Sequence, residues 1–351
     1  VIDGNDGILT ADDSFRMGDS ISGITGVVGY SFGEFRIEAP EGVYEQANPR
    51  PDEPEDIGGN FKVASLNVLN YFTTIDEAGV TTDNGSDPRG GDTIEEFERQ
   101  AEKLVNAIVA IDADVLGLVE IENDFAGDSF AIKDLVERVN AELGSEVYAF
   151  VDPTTDGGMM GTDAITTGFI YKVDEVSVTG SDFLVFDDGD QQRNRPAIAA
   201  TFEDNDGGQI TIANNHFKSK GGTGTGDDAD SGNGQGNFNA TRTAAAEQLT
   251  AWLETNPTGS FDPDYLIIGD LNAYLQEDPV QAIEAAGYDN LLELFVGAEN
   301  AYSFVFDGER GALDHALSSA SLTGQITGVA EWHINADEPG LLSYNSRFTD
   351  A

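Results

Sequence analysis

The segment Tyr265-Leu266-Ile267-Ile268-Gly269-Asp270-Leu271-Asn272 constrains the fold most, because an apolar β-run stops abruptly on a glycine and two oxygen-bearing side chains. A buried strand that delivers polar groups to a sheet edge has that order. Branched and aromatic residues supply β-propensity, and Gly269 permits a close backbone approach. Asp270 and Asn272, two apart, are expected on the same face. One carboxylate beside one carboxamide suits phosphate chemistry. The carboxylate can orient or deprotonate a water, and the amide donates a hydrogen bond without adding charge near a phosphodiester.

Four other β-runs end the same way. Asn67 closes Ala64-Ser65-Leu66, Glu120 interrupts Leu116-Gly117-Leu118-Val119, His216 follows Asn214-Asn215, and Asp314 follows Leu313. A charge inside a hydrophobic strand is costly unless it is paired or metal-bound. Asn, Glu and Asp oxygens form a hard ligand set, suited to Mg2+, Mn2+ or Ca2+ rather than zinc.

From residue 61 onward strands and helices alternate. Strands are expected over 61–69, 115–121, 167–172, 197–203, 209–217, 265–268, 302–306, 314–317 and 326–334. Helices are expected after the Thr93/Glu96 capping box and over 130–143 and 241–254. No GxGxxG motif follows a strand, so a layered α/β sandwich is favoured over a dinucleotide-binding sheet. Residues 1–40 read as a short N-terminal β segment, the remnant of a β-module, with strands over 20–28 and 30–37. Residues 41–60, rich in proline and acid, read as a linker. Residues 61–351 form the expected catalytic domain. Between its elements, residues 221–238 are dominated by glycine, aspartate and asparagine, the composition of a long loop that is mobile or held by a structural Ca2+.

The 351 residues are enough for one large domain and a small one, and 39% hydrophobic content fits a globular chain. No apolar run approaches the roughly 18 residues of a membrane span, so no membrane partner is expected. Without a secretory leader, Val1 reads as a processed start. The 65 acidic residues outnumber 17 basic ones for a formal charge of -48, spread along the whole chain. Such self-repulsion costs stability at low ionic strength, and the acidity reads as halophilic adaptation to high salt. Zero cysteine excludes disulfides and thiolate metal sites. A secreted, extracellular monomer is expected from the acidic surface and the 41 glycines.

The ordered set Asn67, Glu120, His216, Asp270/Asn272 and Asp314 resembles the endonuclease/exonuclease/phosphatase superfamily, whose fold is DNase I-like. The closer resemblance is to its bacterial secreted nuclease branch. It is carried by Asn67-Val68-Leu69-Asn70-Tyr71-Phe72, Glu120-Ile121-Glu122-Asn123, Arg193-Asn194-Arg195-Pro196, His216-Phe217-Lys218-Ser219-Lys220, Asn239-Ala240-Thr241-Arg242 and Trp332-His333-Ile334-Asn335-Ala336-Asp337. The resemblance implies an α/β fold of four layers, two packed mixed β-sheets flanked by helices. It implies a metal-dependent endonuclease acting on DNA, or RNA, with Mg2+ or Mn2+ as cofactor. Asn67 and Glu120 would hold the ion, and Asp270 would orient or deprotonate the attacking water. Asn272 would bond the phosphate, and His216 would assist the leaving oxygen. Asp163 would orient that imidazole, and Asp314 resembles the aspartate of the penultimate core strand. The neighbouring His315 is expected to point to the opposite face. The family ends in a further Asp-His pair on a final strand, and this chain reaches Ala351 with histidines only at 216, 315 and 333. The domain is therefore expected to lack its last strand and one catalytic Asp and His.

Between Arg193 and Arg242 five cations face six acids, near balance in a chain this acidic. A neutral or positive cleft inside an acidic shell is expected, with Arg195, Lys218, Lys220 and Arg89 contacting phosphate. A phosphatase acting on small or lipid phosphates, and a non-catalytic secreted binding module, are the alternatives. If the acidity is an adaptation to salt, the thermal unfolding midpoint rises between about 0.05 M and 2 M NaCl. A midpoint that falls over that range, followed by circular dichroism, overturns the halophilic reading.

Overall fold

A strand covered on both faces must be apolar at successive positions, and the runs at 115–122, 165–172, 197–204 and 265–270 are. In the computed structural model, which describes residues 16–31, 34–125, 130–154, 158–189, 191–306, 308–338 and 342–345, they lie within two sheets. The chain divides into two compact units, one of Val1–Glu53, Phe304–Arg310 and Trp332–Ala351, the other of Pro54–Ser303 and Gly311–Glu331.

In the first unit β1 (Ser20–Ser31) and β2 (Glu34–Glu45) form an antiparallel ribbon. The Arg16 guanidinium donates to the carbonyls of His333 (2.5 Å) and Ile334 (3.1 Å) and to Glu338 (2.7 Å). That ties the segment preceding the ribbon to residues 333–338.

In the second unit β3 (Val63–Tyr71), β4 (Val115–Glu122), β5 (Tyr148–Phe150) and β6 (Ile165–Lys172) form one sheet, in the order β3-β4-β6-β5. The other sheet contains β7 (Val176–Leu184), β8 (Ala197–Asp204), β9 (Gln209–His216), β10 (Tyr265–Asp270) and β11 (Tyr288–Asn290). After a small hairpin of β12 (Phe304–Phe306) and β13 (Glu309–Gly311), whose residues 304–310 belong to the first unit, β14 (Asp314–Ser319) completes it, giving the order β11-β14-β10-β9-β8-β7. Both sheets are mixed, since β3 and β4 are parallel, as are β9 and β10.

Alternation along the strands sorts the core. Leu266, Ile268, Ile198, Phe202 and Ile212 join Val115 and Phe169 between the sheets. Ile267, Ala197, Ala199 and Ala213 face the other way, onto α3 (Asn239–Glu254) and α4 (Asp278–Ala285). The alanines let α3 settle close, through Ala245, Ala246 and Leu249. Helices α1 (Ile94–Ile111) and α2 (Ala131–Leu143) cover the smaller sheet. Phe97 of α1 lies 5.4 Å from the Tyr71 ring, and Ile132 of α2 fills the space that Gly168 leaves. A short α5 (Ala320–Thr323) follows β14. The result is a four-layer α/β sandwich. One buried amide stitches the two sheets. Asn214 of β9 donates to the carbonyls of Leu118 (2.8 Å) and Gly168 (3.0 Å), on β4 and β6. A Cβ on Gly117 would press on the Asn214 amide and the end of the Ile268 side chain, so the glycine leaves room for this stitch.

Several expectations are corrected. Residues 326–334 form no strand; Val329 and Ile326 pack on apolar clusters as irregular chain. The expected linker at 41–60 begins later, because β2 runs to Glu45. The expected domain at 61–351 does not coincide with the second unit, because 304–310 and 332–351 fall in the first. Strands β5, β7 and β11 and helix α4 go unforeseen. Residues 221–238 are tied to their neighbours by side-chain hydrogen bonds. Asp228 accepts from Arg193 (2.5 Å) and from Thr241 backbone (2.9 Å) and hydroxyl (2.7 Å). The wholly buried Arg242 donates to the carbonyls of Lys218, Asn237 and Gln235. No helix among the described residues is long and apolar enough to cross a membrane.

Gly269 has φ +111°, and a Cβ there would lie 2.2 Å from the Asn215 carbonyl oxygen. Gly269→Ala is expected to cost at least about 2 kcal/mol, because both the conformation and the neighbouring strand resist it. Denaturant unfolding measures the loss, and a cost below about 0.5 kcal/mol would contradict this packing.

Candidate active site

Register places the chemistry. In the parallel pairing of β9 with β10, Asp270 lies opposite His216, and in the antiparallel pairing of β10 with β14 it lies opposite Asp314. Three strands thus set His216, Asp270 and Asp314 in a row at one sheet edge. Asp270 is 8% exposed and His216 2%. Like charges directly opposite on neighbouring strands repel. Burial first, then the facing Asp314, raises the Asp270 carboxyl well above the carboxylate range. Burial raises Asp314 as well, with Glu120 and Glu331 adding and a hydrogen bond from the Ser303 hydroxyl opposing.

His216 is held neutral. Burial, then the nearby Arg195, Arg89 and Lys218, push its pKa well below the usual imidazole value. Its Nε2 lies 3.8 Å from Asp270 Oδ2, just beyond a hydrogen bond. Its Nδ1 is buried without a hydrogen-bond partner among the described residues.

Asn272 reaches the site by a turn rather than by strand alternation. Its φ is +48°, its backbone N–H donates to Asp270 Oδ1 at 2.8 Å, and its Nδ2 donates to the Phe217 carbonyl at 3.1 Å. The turn fixes the Asp270 carboxylate in one orientation.

On the smaller sheet, Asn67 and Glu120 meet across β3 and β4. Asn67 Nδ2 donates to Glu120 Oε1 at 3.1 Å. Glu120 has φ +68°, and the register of β4 shifts between Val119 and Ile121. A bulge with left-handed backbone re-aims the side chain of a residue that a regular strand would not point this way. Glu120 Oε2 is buried and has no hydrogen-bond partner among the described residues. Among the described residues Asn67 Oδ1 accepts only from Leu69 N–H (2.9 Å), leaving a second lone pair. These are hard oxygen donors of the kind that hold a divalent ion. Among the described residues no three His, Cys, Asp or Glu side chains converge at ligating distance.

Three cations surround His216. Arg195 and Arg89 share Asp163, through Nε–Oδ2 at 3.3 Å and Nη2–Oδ1 at 3.0 Å. Lys218 Nζ donates to the Ser219 carbonyl and hydroxyl and to the Gly221 carbonyl, all neutral, and lies 4.3 Å from the Phe238 ring centroid. Burial, then the neighbouring arginines, lowers its pKa.

Two placements depart from expectation. Asp163 does not orient His216; it is engaged by the two guanidinium groups, which outcompete a neutral imidazole for a carboxylate. Lys220 is engaged elsewhere: its half-buried side chain pairs with Glu277 and lies over the Tyr274 ring at 5.0 Å. His315 is buried with Nε2 2.7 Å from the Ala273 carbonyl oxygen, away from the row. Asn214, Ser303 and Gln100 were not foreseen as contributors. Only Gln100 carried a signal, as a polar residue on the apolar stripe of α1.

Residues 64–334 match the model of the Endonuclease/Exonuclease/phosphatase family. The chain belongs to this family. Its fold is one of hydrolases that include nucleases and phosphatases. Among solved structures, the human Nocturnin catalytic domain with bound sulfate is 17% identical, covering 74% of this chain and 83% of its own, with TM-score 0.48. A mannosyl-6-phosphatase of Bacteroides thetaiotaomicron is 14% identical, covering 75% and 86%, with TM-score 0.47. D. rerio TDP2 complexed with a single-strand DNA product is 14% identical, covering 74% and 85%, with TM-score 0.44. At these identities the likeness is one of fold, and family membership stands on the sequence match. No curated protein matches the chain in sequence.

The raised carboxyls of this family member have a pH signature. A folded pKa above the unfolded one gives stability that is present at acid pH and lost as pH rises through the folded value. In EDTA, Asp314→Asn should therefore unfold at the wild-type temperature near pH 4 and at a higher temperature at pH 8. An equal melting temperature at pH 8 would show that the row carries no such strain.

Proposed function

We propose that this family member is a secreted, divalent-metal-dependent endonuclease of the bacterial extracellular branch, hydrolysing phosphodiester bonds of DNA at high salt. RNA is the second candidate polymer. The observation that carries this reading is the gathering of Arg89, Arg195 and Lys218 near His216, with Asp163 the one carboxylate among the described residues ion-paired with them, in a chain of net charge -48. A polyanion meets there a local sign more favourable than the average of the chain.

Asn67 and Glu120 would hold the ion, Mg2+ or Mn2+, which supplies charge neutralisation at the phosphate when bound. One carboxamide and one carboxylate suit Mg2+, which keeps several of its waters. Asp270, fixed by Asn272 and made more basic by burial and by Asp314, takes the proton of the attacking water. His216, neutral at physiological pH, donates an N–H to the phosphate or leaving oxygen. Arg195 and Arg89 sit in a fixed fork geometry on Asp163 and offer their remaining N–H groups to a phosphate.

The test is plasmid nicking with Mg2+ in about 1 M or more NaCl, where phosphate attraction is weakest. His216→Ala and Asp270→Asn are each expected to reduce nicking by about 10²–10⁴-fold while leaving the fold intact. Nicking at the wild-type rate in either variant would refute the assignment. Hydrolysis of small phosphate monoesters in preference to plasmid would replace the nuclease reading with a phosphatase.

A further inference from the structure

Two consecutive non-glycine residues, Leu69 (φ +54°) and Asn70 (φ +57°), adopt left-handed backbone two residues after Asn67. The pairing of β3 with β4 loses register over the same stretch, between Asn67 and Tyr71. Left-handed backbone is rare for a residue as bulky as leucine and persists only where the surroundings over-determine it. Here one buried side chain supplies part of that constraint, beside the Leu69 N–H bond to Asn67 Oδ1. Gln100, 2% exposed on α1, donates through Nε2 to the Val68 carbonyl (3.0 Å) and the Leu69 carbonyl (2.8 Å). The strained turn in turn presents Leu69 N–H to Asn67 Oδ1, and Asn67 Nδ2 to Glu120.

We infer that Gln100 is a positioning residue for the Asn67–Glu120 pair, acting through the strained turn at Leu69–Asn70. This rests on the reading of Asn67 and Glu120 as the groups that hold the divalent ion. Without the two hydrogen bonds from Gln100, Leu69 and Asn70 relax toward ordinary strand backbone. Leu69 N–H then leaves Asn67 Oδ1, and the carboxamide loses the orientation that faces Glu120. A role of that kind makes Gln100 necessary only while residue 69 resists the left-handed region, which glycine does not.

The test is a double-substitution cycle read by Mn2+ binding, with electron paramagnetic resonance counting free Mn2+, so that no turnover is needed. Gln100→Met keeps length and helix propensity and removes both donors. It is expected to raise the Mn2+ dissociation constant by about tenfold or more, the scale on which outer groups tune metal affinity. In the Leu69→Gly background the same substitution is expected to shift it by less than about threefold. If Gln100→Met does not fold, Gln100→Asn, too short to span both carbonyls, reads the same quantity. A folded Gln100 variant with wild-type Mn2+ affinity, or an equal loss in both backgrounds, overturns the positioning role and leaves the ion-holding reading standing. Wild-type protein that binds no Mn2+, or Glu120→Gln that binds it as well as wild type, overturns the ion-holding reading and this role with it.

Discussion

Two carboxylates facing each other across a pair of strands, Asp270 buried and Asp314 half-buried, set the terms for the rest of the second unit. Asp270 and Asp314 share one register position, and Glu120 adds a third negative charge from the other sheet. A protein does not hold such a group by packing alone. Its answers here are local and specific. A turn through Asn272 pins one carboxylate, the Ser303 hydroxyl bonds the other, and Asn214 fixes the distance between the sheets that carry them. Each holds an oxygen in place, and none supplies positive charge at the strand edge. The cations stand further along, around His216.

That separation divides the site into two electrostatic halves. Carboxylates and the Asn67 amide gather at one end, where a hard cation would be welcome. Arginine and lysine gather at the other, where an anion would be. Asp163 belongs to the second half, because it holds two guanidinium groups in place without cancelling them. A phosphate bridging the halves would meet positive charge from both directions once an ion sits on Asn67 and Glu120.

The central strands and the four-layer arrangement were legible because continuous apolar runs bounded by polar ends admit few other structures. The set Asn67, Glu120, His216, Asp270 and Asp314 was legible for the same reason, each being a polar residue where an apolar strand has no use for one. The edge strands β5, β7 and β11 were not, since an edge carries no such run. The partner of Lys220 was hidden because Glu277 lies 57 residues away and only the packing of α3 and α4 brings it near. The left-handed backbone of Glu120, Leu69 and Asn70 was hidden because a bulge belongs to the pairing of two strands, not to the composition of either. Asp163 was misread because two arginines, one of them far away in sequence, compete for it.

The pairing of Lys220 and the burial of Arg242 bear on how the molecule meets its surroundings. Arg242 is wholly enclosed, and Lys220 is matched one-to-one by Glu277. Cations spent on closing the glycine-rich loop do not temper the exterior. Buried acids nonetheless outnumber buried cations among the described residues, six (Glu96, Glu122, Asp124, Asp270, Glu277 and Asp337) to two (Arg16 and Arg242), so the solvent faces a skin less negative than the formal charge conveys. Electrophoretic mobility and counter-ion uptake will report that skin, while the loop beneath it keeps its shape by internal neutralisation.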